Sequence, residues 1–289
     1  MPTLDDMLRD LELGEGWSSW EPLHSLVWPR SEPVAQGLYR VRRIGTSGLD
    51  YLGESGRLRG RLTQDLRVLY RDEIPLEAPH TAAAALWIVR TQDSAAFEVS
   101  HFLTPGLSPR ERKGIEAVAT LLARLESGES PSFCFHRMPG GWTRSRRTRD
   151  DAARFVGGTL SGPSLPPLAA LGDVVDLDWC GLAWSPWSSL SGKTPHPGPG
   201  LYRIRRSSAD IAYIGQSGNL ASRLGQHAGA WRNRGTKLGL LLTDDEAVEC
   251  SWVEGPWDGC QREELEYDLI GHYVRSRRSI PAGQFLSSV

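Results

Sequence analysis

The chain contains a second version of itself. Residues 37–62 read GLYRVRRIGTSGLDYLGESGRLRGRL, and residues 200–224 read GLYRIRRSSADIAYIGQSGNLASRL. A duplicated unit constrains a fold more than any local propensity, because it fixes where domains begin and which residues each must supply. The match continues upstream, where Trp17-x-x-Trp20-x-x-Leu23 corresponds to Trp184-x-x-Trp187-x-x-Leu190. Downstream, FEVSHF (97–102) parallels VECSWV (248–253), and Glu116 parallels Glu266. Two equivalent domains are expected, 1–148 and 173–289, joined by a Gly/Ser/Pro-rich linker over 149–172. The step from Arg61 to Glu116 is 55 residues and that from Arg223 to Glu266 is 43, so the first copy carries 12 more. The excess lies between Thr63 and Ala85, as an elaborated loop or an extra helix.

Within the second copy, LYRIRR and AYIGQS are short alternating runs about a polar turn, which predicts an antiparallel hairpin. Asn219 is placed to cap a helix through LASRLGQHAGAW. AVECSWV predicts a third strand, and a helix from Cys260 to about Arg275 carries Leu265, Leu269, Ile270 and Tyr273 on one stripe. Each copy is therefore expected to be a small, mainly antiparallel sheet flanked by helices, an α+β unit.

Composition sets the limits. The chain has 289 residues, 33 Lys+Arg against 35 Asp+Glu, and a net charge of −2. Overall charge thus gives no warrant for a polyanion partner, and any such contact must come from local arginines. A hydrophobic fraction of 39% with 11 Trp is enough for real cores and excludes a disordered chain. The longest apolar run, Thr81 to Val89, is too short to cross a bilayer. The acidic start MPTLDDMLRDLELGEG is unlike a signal peptide, so a cytoplasmic location is expected. Four scattered cysteines show neither a disulfide framework nor zinc spacing and read as buried thiols.

The repeated residues form one pattern: Gly200-Leu201-Tyr202, ten residues, Tyr213-Ile214-Gly215, then Ser217, Arg223, His227 and a helical Glu266. This resembles the GIY-YIG nuclease domain, once over 37–135 and again over 200–285. The resemblance implies an endonuclease that hydrolyses DNA phosphodiester bonds with one divalent metal, Mg2+ or Mn2+, on Glu266 and, in the first copy, Glu116. In that role Arg223 and His227, at i and i+4, share one helix face, where a guanidinium suits a phosphate. Glu266 sits on the apolar stripe, so its carboxylate points inward and needs a partner. Tyr202, Tyr213 or His227 activates the attacking water. The first copy offers Tyr39, Tyr51, Arg61 and Glu116.

Two features depart from the family. Its asparagine, three residues after a proline, is here Gln284 in the second copy and Cys134 in the first. Gln still offers an amide, whereas Cys replaces it poorly. Where the second copy has His227 the first has Asp65, which repels a phosphate. The second copy is therefore read as the catalytic centre and the first as weaker, specialised for binding, or inactive. An internal pseudo-dimer cutting both strands is compatible with the repeat, and no obligate protein partner is implied. A non-catalytic tandem nucleic-acid-binding module is the alternative. Arg203, Arg205, Ser217 and the basic run containing Arg144, Arg146 and Arg147 are the expected DNA contacts. The tryptophan leaders read as packing anchors.

Overall fold

The computed structural model describes residues 2–28, 35–75, 78, 80, 82–140, 162–192, 195–206, 210–233 and 248–286. The chain divides into two compact units, residues 1–163 and 164–289. Arg144, Arg146 and Arg147 lie outside the described residues.

In the first unit, α1 (Leu4–Leu13) leads into β1 (Glu21–Pro22), β2 (Gly37–Arg43) and β3 (Tyr51–Ser55). A broken helical stretch over residues 58–70 follows, then α2 (Ala83–Asp93), β4 (Phe97–Leu103) and α3 (Pro109–Ser127). The sheet order is β1-β4-β2-β3, antiparallel throughout, so β2 is flanked by both β3 and β4. The second unit repeats the order. Its strands β5 (Ser188–Ser189), β6 (Gly200–Arg206), β7 (Ile211–Ser217) and β8 (Val248–Glu254) run β5-β8-β6-β7. Its helices are α4 (Leu220–Asn233) and α5 (Gly259–Arg277).

The register is also repeated. Tyr39 faces Gly53 across the first hairpin, and Tyr202 faces Gly215 across the second. The expected elements are present, and each sheet gains a two-residue edge strand supplied by the tryptophan leader. Helix starts follow local capping chemistry. Asn219 Oδ1 accepts from the Ser222 N–H at 2.9 Å, and Ser108 and Asp258 form reciprocal boxes with Glu111 and Gln261. The stretch between Thr63 and Ala85 runs from within the broken helical stretch into the first turn of α2. Leu58, Leu62, Leu66, Leu69, Leu86 and Val89 of these segments pack under Tyr39, Val41 and Phe97.

Residues 149–172, read as a linker, are described from Gly162 onward, and at Leu165 and Leu168 they pack along α5. The Leu165 and Leu168 N–H groups donate to Glu264 Oε2 and Asp268 Oδ2, both at 3.0 Å, and His272 Nε2 donates to the Leu168 carbonyl at 2.8 Å. Glu264 and Asp268 are fully buried. Composition missed this because a proline-rich segment that packs resembles one that does not. Among the described residues, no helix is long and apolar enough to cross a membrane.

Candidate active site

In the second unit, Tyr202 on β6 and Tyr213 on β7 lie on one sheet face, two residues out of register, which brings aromatic rings together. Their centroids are 6.0 Å apart at 27°. Gly215 makes this possible, since a Cβ there would sit 2.5 Å from Cζ and Oη of Tyr202 and 2.8 Å from Tyr213 Cε1. Gly200 is needed for a different reason: its Cβ would be 2.2 Å from the Val253 carbonyl oxygen of the neighbouring strand.

Helix α4 delivers Arg223 and His227 from one face. Arg223 Nε donates to Tyr202 Oη at 3.2 Å, and His227 Nε2 lies 2.8 Å from the same oxygen. Tyr213 also hydrogen-bonds Arg223 and Tyr202. Tyr202 is fully buried, while Tyr213 and Glu266 are half-buried. Burial holds His227 at about 4, helped by Arg223, so its ring is neutral at physiological pH. Glu266 on α5 is pushed up to about 8, first by burial and then by Glu263, against a smaller pull from Arg223. Burial keeps both phenols protonated, and Glu266 adds to this for Tyr213. Without a bound cation the cluster therefore presents one fixed charge, the Arg223 guanidinium, which suits an anionic substrate.

Residues 198–278 match the GIY-YIG catalytic domain. The GIY-YIG match spans Tyr202, Tyr213, Arg223, His227 and Glu266 and points to nuclease chemistry in general, while Gln284 lies beyond it. Comparison with curated proteins and with solved structures returns no match. The match covers the second unit alone; the first unit resembles the second in its repeated sequence and in its geometry.

That geometry is close. Tyr39 and Tyr51 have centroids 5.9 Å apart at 28°, and a Cβ on Gly53 would lie 2.7 Å from Tyr51 Cε1. Glu116 on α3 is also pushed up to about 8, by burial and then by Glu54, whose N–H it accepts at 3.1 Å. Arg61 differs from Arg223, because its Nη1 pairs with Asp65 at 3.2 Å while its buried Nε has no hydrogen-bond partner among the described residues. The residue that sequence reasoning missed is His80. Its Nε2 lies 2.7 Å from Tyr39 Oη, the contact that His227 makes with Tyr202. His80 lies between Thr63 and Ala85, where the two copies differ in length, and that difference is the signal that points to it.

Other expected site residues take different places. Arg203 is corrected outright as a DNA contact: it is fully buried, and its two terminal nitrogens donate to the Val174 and Asp176 carbonyls at 2.6 and 2.7 Å. Trp184 and Trp187 stack on its guanidinium at 4.4 and 4.6 Å. Arg205 pairs with Glu249 at 2.9 Å and lies 4.0 Å over Trp187. The tryptophan leaders thus cover this sheet face, pairing with cations and also packing ring on ring, Trp17 on Phe102 and Trp184 on Trp179. Ser217 Oγ closes a turn with both the N–H and the carbonyl of Asn219. Gln284 is buried, and its Oε1 accepts from the Ile214 N–H at 3.1 Å, so it braces β7. Cys134, a poor substitute by side-chain chemistry, does the same work: its Sγ lies 3.4 Å from both the N and the O of Leu52. Cys134, Cys180 and Cys250 are buried thiols, and Cys260 is half-buried.

Among the described residues, no group of three His, Cys, Asp or Glu is disposed to hold a metal. The residues fit a different arrangement, in which one carboxylate, waters and substrate phosphate share a hard cation. The Glu266 carboxyl, pushed up to about 8 by burial, would give up its proton to bind such a cation.

Proposed function

We propose that the chain is a metal-dependent endonuclease that hydrolyses DNA phosphodiester bonds at the site in residues 200–278, and that the first unit is a second, diverged copy of the same domain. The observation that carries this reading is the convergence of Arg223 Nε and His227 Nε2 on Tyr202 Oη beside Glu266, within a segment that matches a nuclease domain. Glu266 would hold Mg2+ or Mn2+, and in the first unit Glu116 would do so. When bound, the cation supplies positive charge against the charge that builds on the phosphate and the departing oxygen.

The chain's own residues divide the remaining work. Arg223 reaches toward the phosphate with a planar donor fork while its Nε anchors Tyr202. Tyr202 is buried and acts by holding Tyr213. Tyr213 is half-buried and faces Glu266, which supports it as the group that meets the attacking water. The water oxygen bonds to phosphorus and the bond to one ribose oxygen breaks. Tyr213 takes the water's proton as it releases its own to solvent, and the departing oxygen regains a proton from solvent.

Incubating the full chain with supercoiled plasmid, with and without Mg2+, tests the reading. In a chain already carrying Glu116→Gln, Glu266→Ala should abolish cleavage and leave DNA affinity largely intact, whereas Arg223→Ala should damage both. Loss of the arginine should cost about 10²–10³ in rate, as for one positioned charge donor. Cleavage by Glu266→Ala at the parental rate would remove the metal assignment. Binding without turnover in the parent would favour the binding module.

A further inference from the structure

We propose that the first unit houses a second hydrolytic site of the same class, in which His80, delivered by the segment before α2, holds Tyr39 in place of a helix histidine. This rests on the nuclease reading of the second unit. It departs from the sequence argument for inequality, which was that Asp65 stands where His227 does. In the structure the imidazole is present by another route.

The first unit keeps the strand order, the Tyr–Gly register, the tyrosine pair and the glutamate of the second. His80 then completes the hydroxyl–imidazole contact from outside the repeated sequence. Its polarity follows from its neighbours. The Ala82 N–H donates to His80 Nδ1 at 3.1 Å, so Nδ1 is the acceptor and Nε2 of the neutral ring carries the hydrogen. His80 therefore donates to Tyr39 Oη, and Tyr39 is left to donate to Tyr51, with which it hydrogen-bonds. Tyr51 is the half-buried member of the pair, as Tyr213 is in the second unit.

In the second unit the donor whose direction is fixed on the buried tyrosine is Arg223 Nε. In the first, Arg61 is drawn to Asp65, and His80 supplies a donor instead. A packed core has no need of this arrangement, since a buried polar triad costs free energy that apolar side chains of similar size would avoid. The bond exchange is that of the second site, with Tyr51 passing the water's proton to solvent. His80 is a positioning residue. Asp65 limits the site by holding Arg61 away from the phosphate.

The test uses the full chain carrying Glu266→Gln, on supercoiled plasmid with Mg2+ or Mn2+, with melting temperatures recorded for every protein. This variant should still nick, at about a tenth of the parental rate or more, and adding Glu116→Gln should lower nicking about 10²-fold. Adding His80→Gln, which keeps an N–H donor, should retain most nicking, whereas His80→Leu should remove it. Adding Asp65→Asn should raise the rate several-fold by freeing Arg61, a gain that misfolding cannot mimic. A parent that cuts beside a Glu266→Gln protein that makes no nicks would overturn the second site and leave the first reading standing. Residual nicking that is indifferent to Glu116→Gln, or that is equal in folded His80→Gln and His80→Leu proteins, would also overturn it. A parent that never cuts would overturn both.

Discussion

At the scale of single residues, the site depends on one absent side chain as much as on those present. Gly215 carries no Cβ, and the Tyr202 ring occupies the space a Cβ would need. Gly215→Ala should displace the ring from Arg223 and His227, costing about 1–3 kcal/mol of stability. Its cleavage should fall with kcat rather than KM, and unchanged kcat would show that the ring position does not matter.

The two raised glutamates set a second expectation. Glu116 and Glu266 titrate near 4.5 when unfolded and near 8 in the fold, so between those values the folded chain holds protons the unfolded chain has lost. Their contribution to stability is present below about 4.5 and is lost as pH rises through about 8. In chelator, the Glu116→Gln, Glu266→Gln protein should therefore gain melting temperature over the parent progressively from about pH 5 to about pH 9. An advantage that does not change with pH would mean the carboxyls are not held protonated.

At the scale of elements, the repeat made the hairpins, the capped helices and the Tyr, Arg and Glu positions legible, because spacing alone locates them. Three things were not legible, each for a physical reason. His80 lies where the two copies differ in length, and there neither periodicity nor alignment reports what a loop residue will touch. For Arg203, strand alternation gives the face correctly, but only the fold reveals that Trp184 and Trp187 lie over that face. Gln284 and Cys134 differ as side chains, yet both meet backbone atoms of the equivalent strand residues Ile214 and Leu52, a likeness that residue identity conceals. Removing the first of these contacts with Gln284→Ala leaves the Ile214 N–H without its acceptor and should destabilise the chain by about 1–3 kcal/mol, read by denaturant titration. A change under a few tenths would mean water takes over the contact.

At the scale of the whole molecule, a net charge of −2 leaves DNA affinity to local basic residues. With Arg203 buried and Arg205 paired, the run containing Arg144, Arg146 and Arg147 is the foremost candidate in the sequence. Affinity should fall steeply with salt, and reversing these three charges together should flatten the slope by about three counterions. An unchanged slope would assign binding elsewhere. The strap at 164–170 has a practical bearing on protein engineering. Composition places the start of the second half at residue 173, but a graft cut there would strip the Leu165 and Leu168 amides from Glu264 and Asp268 and turn a sealed acidic seam into an open one. The smallest portable version of this half begins at Ser164.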